Sequence, residues 1–323
     1  MTGTAPLCRR MAVVAPVFND WVCAHELLNR LATLAPSLPP LSVYLVDDGS
    51  TQVVALDPGP WAHLLRDVRV IRAGANLGHQ RAIAVGLTQA LLDPEVDLLV
   101  VIDADGEDDP TGIPSLLAAL PESTEAIVVA QRKQRTEALS FRAFYRLYRA
   151  GFTALTGKRL DFGNFSLLTR AAATRLVYMP EMWNHFPAAV MRSKVPLMRV
   201  PTDRSKRFHG TSRMNFVALV NHGLAAISTF TDVVFARLMT VVTILVAIFL
   251  LAAVAVVAIR FGSTVAIPGW TTTAMGFILL GLFQFLTLLA VMTFTLLSAR
   301  SNVPSIPVHE APKFIRSIER IQA

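Results

Sequence analysis

An α/β domain with a mostly parallel sheet, followed by a two-helix membrane hairpin, is the fold class this sequence predicts. Three observations lead to it. Short runs rich in Val, Ile and Leu alternate with helix-like stretches through the first two hundred residues, as buried parallel strands and their crossover helices do. Two long uncharged runs then follow, at 238–259 and 270–298. The 323 residues are 53% apolar and only 16% charged, with a mean hydropathy of +0.48, which excludes a disordered chain and an ordinary soluble enzyme.

The elements follow in order. The run at 11–16 is a strand that leads into Asn19 and Asp20, and 24–34 is a helix. A second strand, 42–46, ends in Asp47-Asp48-Gly49-Ser50. A third, 68–71, precedes a helix at 82–92. The fourth, 98–102, ends in Asp103-Ala104-Asp105, and 113–120 is helical. Ligands of such sheets bind beyond the carboxyl ends of the strands. The apolar run 11–18 is too short for a signal peptide. Cys8 and Cys23, the two cysteines, make neither a disulfide framework nor a C-x-x-C metal site. This part of the chain is therefore expected in the reducing cytosol.

About 20 apolar residues cross the hydrocarbon core, so both long runs suffice. Pro268-Gly269 marks a turn between them. Arg204, Lys206, Arg207, Arg213 and Arg237 precede the hairpin and Arg300, Lys313, Arg316 and Arg320 follow it, whereas the connection holds Arg260 alone. The positive-inside rule places both flanks in the cytosol. Between Gln131 and Leu160 there are eight Lys or Arg and one acidic residue, Glu137. There Arg142, Arg146 and Arg149 share one helical face, and Phe141, Tyr145, Tyr148 and Phe152 the next, which suits a helix in the membrane interface; a core helix with solvated arginines is the alternative. Over 214–234, Phe216, Leu219, Val220, Ile227, Phe230 and Val234 share a face, with Asn221, His222, Ser228 and Asp232 off it. It reads as a second interface helix, with a third span as the alternative. The expected division is a cytosolic catalytic domain over 1–205, a juxtamembrane region over 206–236, two spans within 237–299 (about 238–259 and 272–298) and a cytosolic tail over 300–323.

Carboxylates at the mouths of three strands converge on one crevice, although each alone also serves as a helix cap or turn. Asp103 and Asp105, two apart after a buried strand, suit a hard divalent cation, Mg²⁺ or Mn²⁺, with substrate phosphates completing its shell. Glu107, Asp108 and Asp109 read as a solvated capping run before Pro110. The net charge of +7 favours an anionic partner; the spans and the basic aromatic helix account for it without nucleic acid. His79 and His209 suit phosphate contacts or plain loop positions equally.

Here the chain resembles the polyprenyl-phosphate glycosyltransferases of glycosyltransferase family 2, which have the GT-A fold and include dolichol-phosphate mannose synthases and bactoprenol glucosyltransferases. Pro16-Val17-Phe18-Asn19-Asp20 resembles P-x-Y/F-N-E, with Asp20 for Glu. Val46-Asp47-Asp48-Gly49-Ser50-Thr51 matches V-D-D-G-S-x-D until Gln52. Asn76-Leu77-Gly78-His79-Gln80 matches N-x-G-H-Q. Asp103-Ala104-Asp105 with Asp109-Pro110 resembles D-A-D-x-x-D-P, one residue longer. Gln131-Arg132 and Arg135 with Phe144-Tyr145 resemble R-x-x-R…F-Y, Gly163-Asn164-Phe165 resembles G-D-F, and Arg207-Phe208-His209-Gly210-Thr211-Ser212 resembles R-x-x-G-x-S. The ordered set spans about residues 11 to 300.

The resemblance implies a metal-dependent, inverting hexosyltransferase that moves a sugar from a UDP- or GDP-linked donor to polyprenyl phosphate at the cytosolic face of the plasma or inner membrane. Pro16, Val17, Asn19, Asp20, Asp47, Asp48, Asn76, Gly78, Gln80, Arg81, Asp103 and Ala104 would form the nucleotide-sugar pocket. Asp105 would hold the metal, and Arg132, Arg135, Arg207 and Arg213 the lipid phosphate. Asn164 stands where relatives carry an Asp proposed as the base; Asp161 is a substitute or a turn residue. A phosphate acceptor, with its second pKa of about 6, needs no strong base, unlike a sugar hydroxyl. A processive polysaccharide synthase is the enzymatic alternative, but its Q-x-x-R-W motif is absent and Glu181-Met182-Trp183-Asn184-His185 stands in that region. A non-catalytic membrane scaffold is the other alternative. A homo-oligomer remains open.

Overall fold

The computed structural model describes residues 10–52, 56–132, 149–202, 205–210, 216–262 and 269–321. They form two compact units. The larger is built on an eight-stranded sheet in the order β7-β5-β6-β4-β1-β2-β3-β8. Its first half follows the predicted alternation: β1 (Arg10–Val17), α1 (Trp21–Leu34), β2 (Leu41–Asp47), the one-turn α2 (Trp61–Leu64), β3 (Asp67–Ala73), α3 (His79–Leu91), β4 (Val96–Val101) and α4 (Ile113–Ala118). The strands β4, β1, β2 and β3 are mutually parallel. β1 and β2 are buried along most of their length because helices cover both faces of the sheet. Ala12 and Val14 of β1 enter the core under α3, and Met11, Val13 and Ala15 the core under α1. Alternation between two apolar faces is why these strands read as unbroken apolar runs.

The chain continues through β5 (Ile127–Arg132), α5 (149–156, most of which belongs to the smaller unit), β6 (Ser166–Thr169), α6 (Arg170–Val177), α7 (Phe186–Arg192), β7 (Leu197–Thr202) and α8 (Phe216–Ser228). β6 runs antiparallel between β4 and β5, and β7 lies parallel to β5. Gly86 lets α3 approach the sheet closely. A Cβ there would lie 2.3 Å from Val14 Cγ1 and 2.8 Å from Val46 Cγ2.

The smaller unit holds α9 (Thr231–Gly262) and α10 (Trp270–Ser301), whose apolar windows are 11% and 0% buried. Phe249 and Phe285 meet edge to face across this hairpin at 5.2 Å. Both helices are long and apolar enough to cross a membrane. The 214–234 stretch is not one element: α8 stops at Ser228 and α9 starts at Thr231. The 13 residues of α8 extend about 20 Å at 1.5 Å per residue, short of the roughly 30 Å hydrocarbon core. Among its described side chains Val217 and Leu224 are the exposed large apolar ones, whereas Gly223 and Ala226 face inward.

The main departure from expectation is at 300–323. After the short α11 (Pro307–Glu310), β8 (Ile315–Ile321) returns to the large unit and pairs antiparallel with β3, from Val68↔Ile321 to Ala73↔Ile315. Its register is pinned by ions on both sides: Arg320 donates to Asp67 at 2.6 Å, and Arg72 to Glu319 at 2.9 Å. The strand is hard to read in sequence because Arg316, Glu319 and Arg320 interrupt its apolar residues, as edge strands require.

Candidate active site

Asp103 and Asp105 follow β4, and Asn19 and Asp20 follow β1, its parallel neighbour. Asp48 follows β2, on the other side of β1. The loop after β2 turns at Gly49, where φ is +75° and a Cβ would lie 2.7 Å from the Asn76 nitrogen. Only glycine meets both demands. Asp48 N–H donates to the Val17 carbonyl, and the Asp48 carboxylate accepts from the N–H groups of Leu77 (2.6 Å) and Gly78 (3.0 Å). Burial nonetheless pushes its pKa up. Asn19, at φ +51°, accepts through Oδ1 from Thr51 N–H at 2.8 Å and Gln52 N–H at 3.1 Å. Asp47 accepts from Ser50 N–H at 2.8 Å through Oδ1; among the described residues its Oδ2 has no partner. Pro16, Val17 and Ala104 are buried, whereas Asn76 and Arg81 are exposed.

Arg207 couples two strand ends. Its Nη1 donates to Asp105 Oδ2 at 2.9 Å, and its Nη2 pairs with Asp20. From sequence Arg207 groups with the arginines expected at a lipid phosphate; the structure brings it onto these carboxylates instead. The reason lies in the backbone around it, since Phe208 N–H donates to the Asp105 carbonyl at 2.8 Å and Ser205 N–H to the Glu107 carbonyl at 3.1 Å. Burial and the neighbouring Asp103 raise the Asp105 pKa, opposed by the Glu107 N–H and by Arg207. Asp109 caps the turn at Pro110–Gly112, accepting from Thr111 N–H at 3.0 Å, as the capping reading expected, but Asp108 is buried at 7% exposure rather than solvated, because it packs inside the loop between β4 and that turn.

A second cluster surrounds Asp103. His79 Nε2 lies 3.0 Å from Asp103 Oδ1, and Asn164 Nδ2 donates to the same oxygen at 3.1 Å. Gln80 orients this group. Phe186 N–H can only donate, so Gln80 turns its Oε1 toward it at 2.6 Å and its Nε2 toward Asn164 Oδ1 at 3.2 Å. Asn164 must then present its NH₂ to Asp103. That NH₂ also lies 3.0 Å from His79 Nε2, so Nε2 either donates to Asp103, which only accepts, or accepts from Asn164, and does not do both at once. Partial desolvation by the surrounding protein lowers the His79 pKa, a weakened effect because the side chain is 45% exposed, and Asp103, then Asp105 and Asp48, outweigh it and raise the net value. Asp161 is elsewhere: it accepts from Gln131 at 2.8 Å and Arg199 at 3.4 Å.

Sequence reasoning missed a histidine pair beside this cluster. His185, 1% exposed, is the N-cap of α7 and accepts from Ala188 N–H through Nδ1 at 3.2 Å. Its Nε2 lies 3.0 Å from Nε2 of His222 on α8. Burial and His222 lower the His185 pKa to about 3, and burial then His79 lower that of His222. The signal in sequence was His185-Phe186-Pro187, a polar cap residue two positions before a proline in the first helical turn; its partner, 37 residues on, had none. Arg135, Arg213 and the 133–148 stretch lie outside the described residues. Arg132 ends β5, and its side chain also lies outside them.

Among the described residues no three metal-binding side chains cluster. A carboxylate that already attracts a guanidinium, with no full protein cage, fits a cation held jointly by Asp105 and substrate oxygens.

The chain is 26% identical over 289 residues to an undecaprenyl-phosphate 4-deoxy-4-formamido-L-arabinose transferase of Proteus mirabilis, covering 84% of each chain. It is 25% identical over 238 residues to the transferase of the same description from Salmonella typhimurium, covering 68% of this chain and 67% of the relative. Glucosyl-3-phosphoglycerate synthase from Mycobacterium tuberculosis, solved with Mn²⁺, UDP-glucose and phosphoglyceric acid, superposes with a TM-score of 0.51 at 16% identity, over 70% of this chain and 80% of that one. That likeness establishes a GT-A-like fold. The sequence model of glycosyl transferase family 2 matches residues 12–181, and the chain belongs to that family as a membrane-associated glycosyltransferase.

Proposed function

We propose that this enzyme transfers a sugar, with inversion, from a nucleotide-diphosphate sugar to polyprenyl phosphate at the cytosolic membrane face. The observation that carries the reading is Asn164: the position expected for a base is an amide that donates to Asp103. A site with no base there suits an acceptor that is already ionised. The named relatives are undecaprenyl-phosphate sugar transferases, and two helices here are long and apolar enough to cross the membrane that such a lipid occupies.

In this reading Asp47 and Asn19 border the nucleoside, and Asp105 with Arg207 faces the diphosphate. A divalent cation such as Mg²⁺ or Mn²⁺, held by Asp105, would neutralise charge on the departing nucleoside diphosphate. Arg207 would serve the same leaving group, since a guanidinium can hold two phosphate oxygens. An oxygen of the acceptor phosphate forms the new bond to the anomeric carbon. The bond from that carbon to the diphosphate breaks, and its electron pair leaves with the nucleoside diphosphate. No proton has to move. Arg132, Arg135 and Arg213 remain assigned to the acceptor side, and Asp161 is not required as a base.

The test is a transfer assay over UDP- and GDP-linked sugars with undecaprenyl phosphate in detergent. Pentose and hexose donors both belong in it, because the relatives carry an arabinose derivative. The expected product is an alkali-stable lipid phosphate sugar. Transfer only to hydroxyl acceptors, with none to the lipid phosphate, would overturn the reading.

A further inference from the structure

Two imidazoles facing each other inside a protein are costly to desolvate, and no step of the sugar transfer uses them. Their hydrogen-bond order, however, is fixed from one end. Ala188 N–H can only donate, so His185 Nδ1 carries no proton. Neutral His185 therefore has its hydrogen on Nε2, which donates to His222 Nε2 at 3.0 Å. Neutral His222 must then carry its own hydrogen on Nδ1. Among the described residues that Nδ1 has no partner, and the residue is only half-buried. The helix N-cap thus presets a neutral donor on α8, and both rings stay uncharged near neutral pH because burial lowers their pKa values.

The position of this donor points to its ligand. His185 adjoins Phe186, whose N–H holds Gln80, which holds Asn164, which holds Asp103. His222 also lies within electrostatic reach of Asp103 and His79. On its outer side α8 exposes Val217 and Leu224, and the chain enters the first apolar span a few residues later. A donor within electrostatic reach of the carboxylate cluster, on a helix that also exposes apolar side chains, suits a molecule with an apolar tail and an oxyanion head. Resting on the polyprenyl-phosphate reading, we propose that His222 Nδ1–H donates a hydrogen bond to the acceptor's phosphate monoester and helps aim it at the anomeric carbon.

Asn and Gln substitutions separate this role from packing. An Asn amide reaches the place of Nδ1, and a Gln amide the place of Nε2. If His222 is a ligand donor, His222→Asn keeps the acceptor KM within about twofold, whereas His222→Gln raises it about tenfold, the scale of one hydrogen bond to a charged group. The nucleotide-sugar KM should stay constant in both. The opposite order, or equal effects of both variants, would show that the pair only packs α8 and would overturn the proposal. Absence of transfer by the unaltered enzyme would instead remove the polyprenyl-phosphate reading itself.

A second measurement needs no variant. In ¹⁵N-histidine spectra of the unaltered protein in detergent, a neutral Nδ1–H imidazole should shift on addition of citronellyl phosphate and not of citronellol. Absence of that tautomer, or an equal shift with phosphatidylglycerol, would assign the ring to packing or to lipid headgroups and overturn the proposal.

Discussion

Asn164 and Asp103 sit 3.1 Å apart as donor and acceptor, an attraction that turns into repulsion if the amide becomes an acid. Asn164→Asp would face one carboxylate with another, and the pair would hold a proton well above the ordinary aspartate pKa of about 3.9. A raised folded-state pKa means stability is lost as pH climbs past the unfolded value. Thermal unfolding should therefore show a larger deficit for the variant at pH 8 than at pH 5. His79 has the same sign for a different reason. Its protonated form is favoured by Asp103, so its contribution is full below the ordinary value of 6.5 and disappears as pH rises through the raised folded-state value. His79→Gln should flatten the melting profile between pH 6 and 8. Asp105→Asn should lower kcat/KM at least about a hundredfold, since leaving-group stabilisation of this kind is worth several kcal/mol. Circular dichroism should be unchanged and Mn²⁺ binding weakened. The carboxylates were legible in the sequence because they end apolar runs. Their partners were not: Arg207 meets Asp105 across 102 residues, and no local pattern encodes that.

At the scale of elements, α3 carries His79 and Gln80 into the site, and Gly86 sets how closely it lies on the sheet. Exposed helical glycines usually gain about 1 kcal/mol on change to Ala. Here the sign should reverse, because a methyl group meets Val14 and Val46 below contact distance. Overpacking of this sort costs about 1–3 kcal/mol, so Gly86→Ala should lower the denaturation midpoint and reduce transfer by tilting the N-terminal turn of α3. The parallel strands were readable because both their faces are buried. β6 is four residues, β7 has exposed and half-buried residues throughout and β8 is studded with charge. Such strands owe their existence to neighbours already in place, so period alone does not reveal them.

For the molecule as a whole, β8 constrains topology independently of charge. The chain leaves the large unit, runs through α9 and α10, and returns to pair with β3. If α9 and α10 both cross a membrane, both ends of the hairpin lie on the side that holds the sheet, and from the basic flanks we propose that this side is the cytosol. In a Cys8→Ser background, where the remaining Cys23 is buried, Phe261→Cys should react with an impermeant thiol reagent added outside intact cells. Val303→Cys should react only after the membrane is opened. Both positions are well exposed, at 87% and 93%. Labelling of Val303→Cys from outside would break the even-span arrangement and the strand pairing together.

The pairing of Val68 with Ile321 also sets a clock. A ribosome finishes β3 early, then makes both spans before β8 exists. Contacts this distant in sequence close slowly, and until then β3 presents an open edge. The catalytic sheet is thus complete only in chains whose hairpin has already been made, so synthesis of the hairpin precedes the final step of folding. Chains stalled before β8 should be rapidly degraded, and a pulse-chase comparison of full-length chains with chains ending at Ser305 measures that difference as half-life.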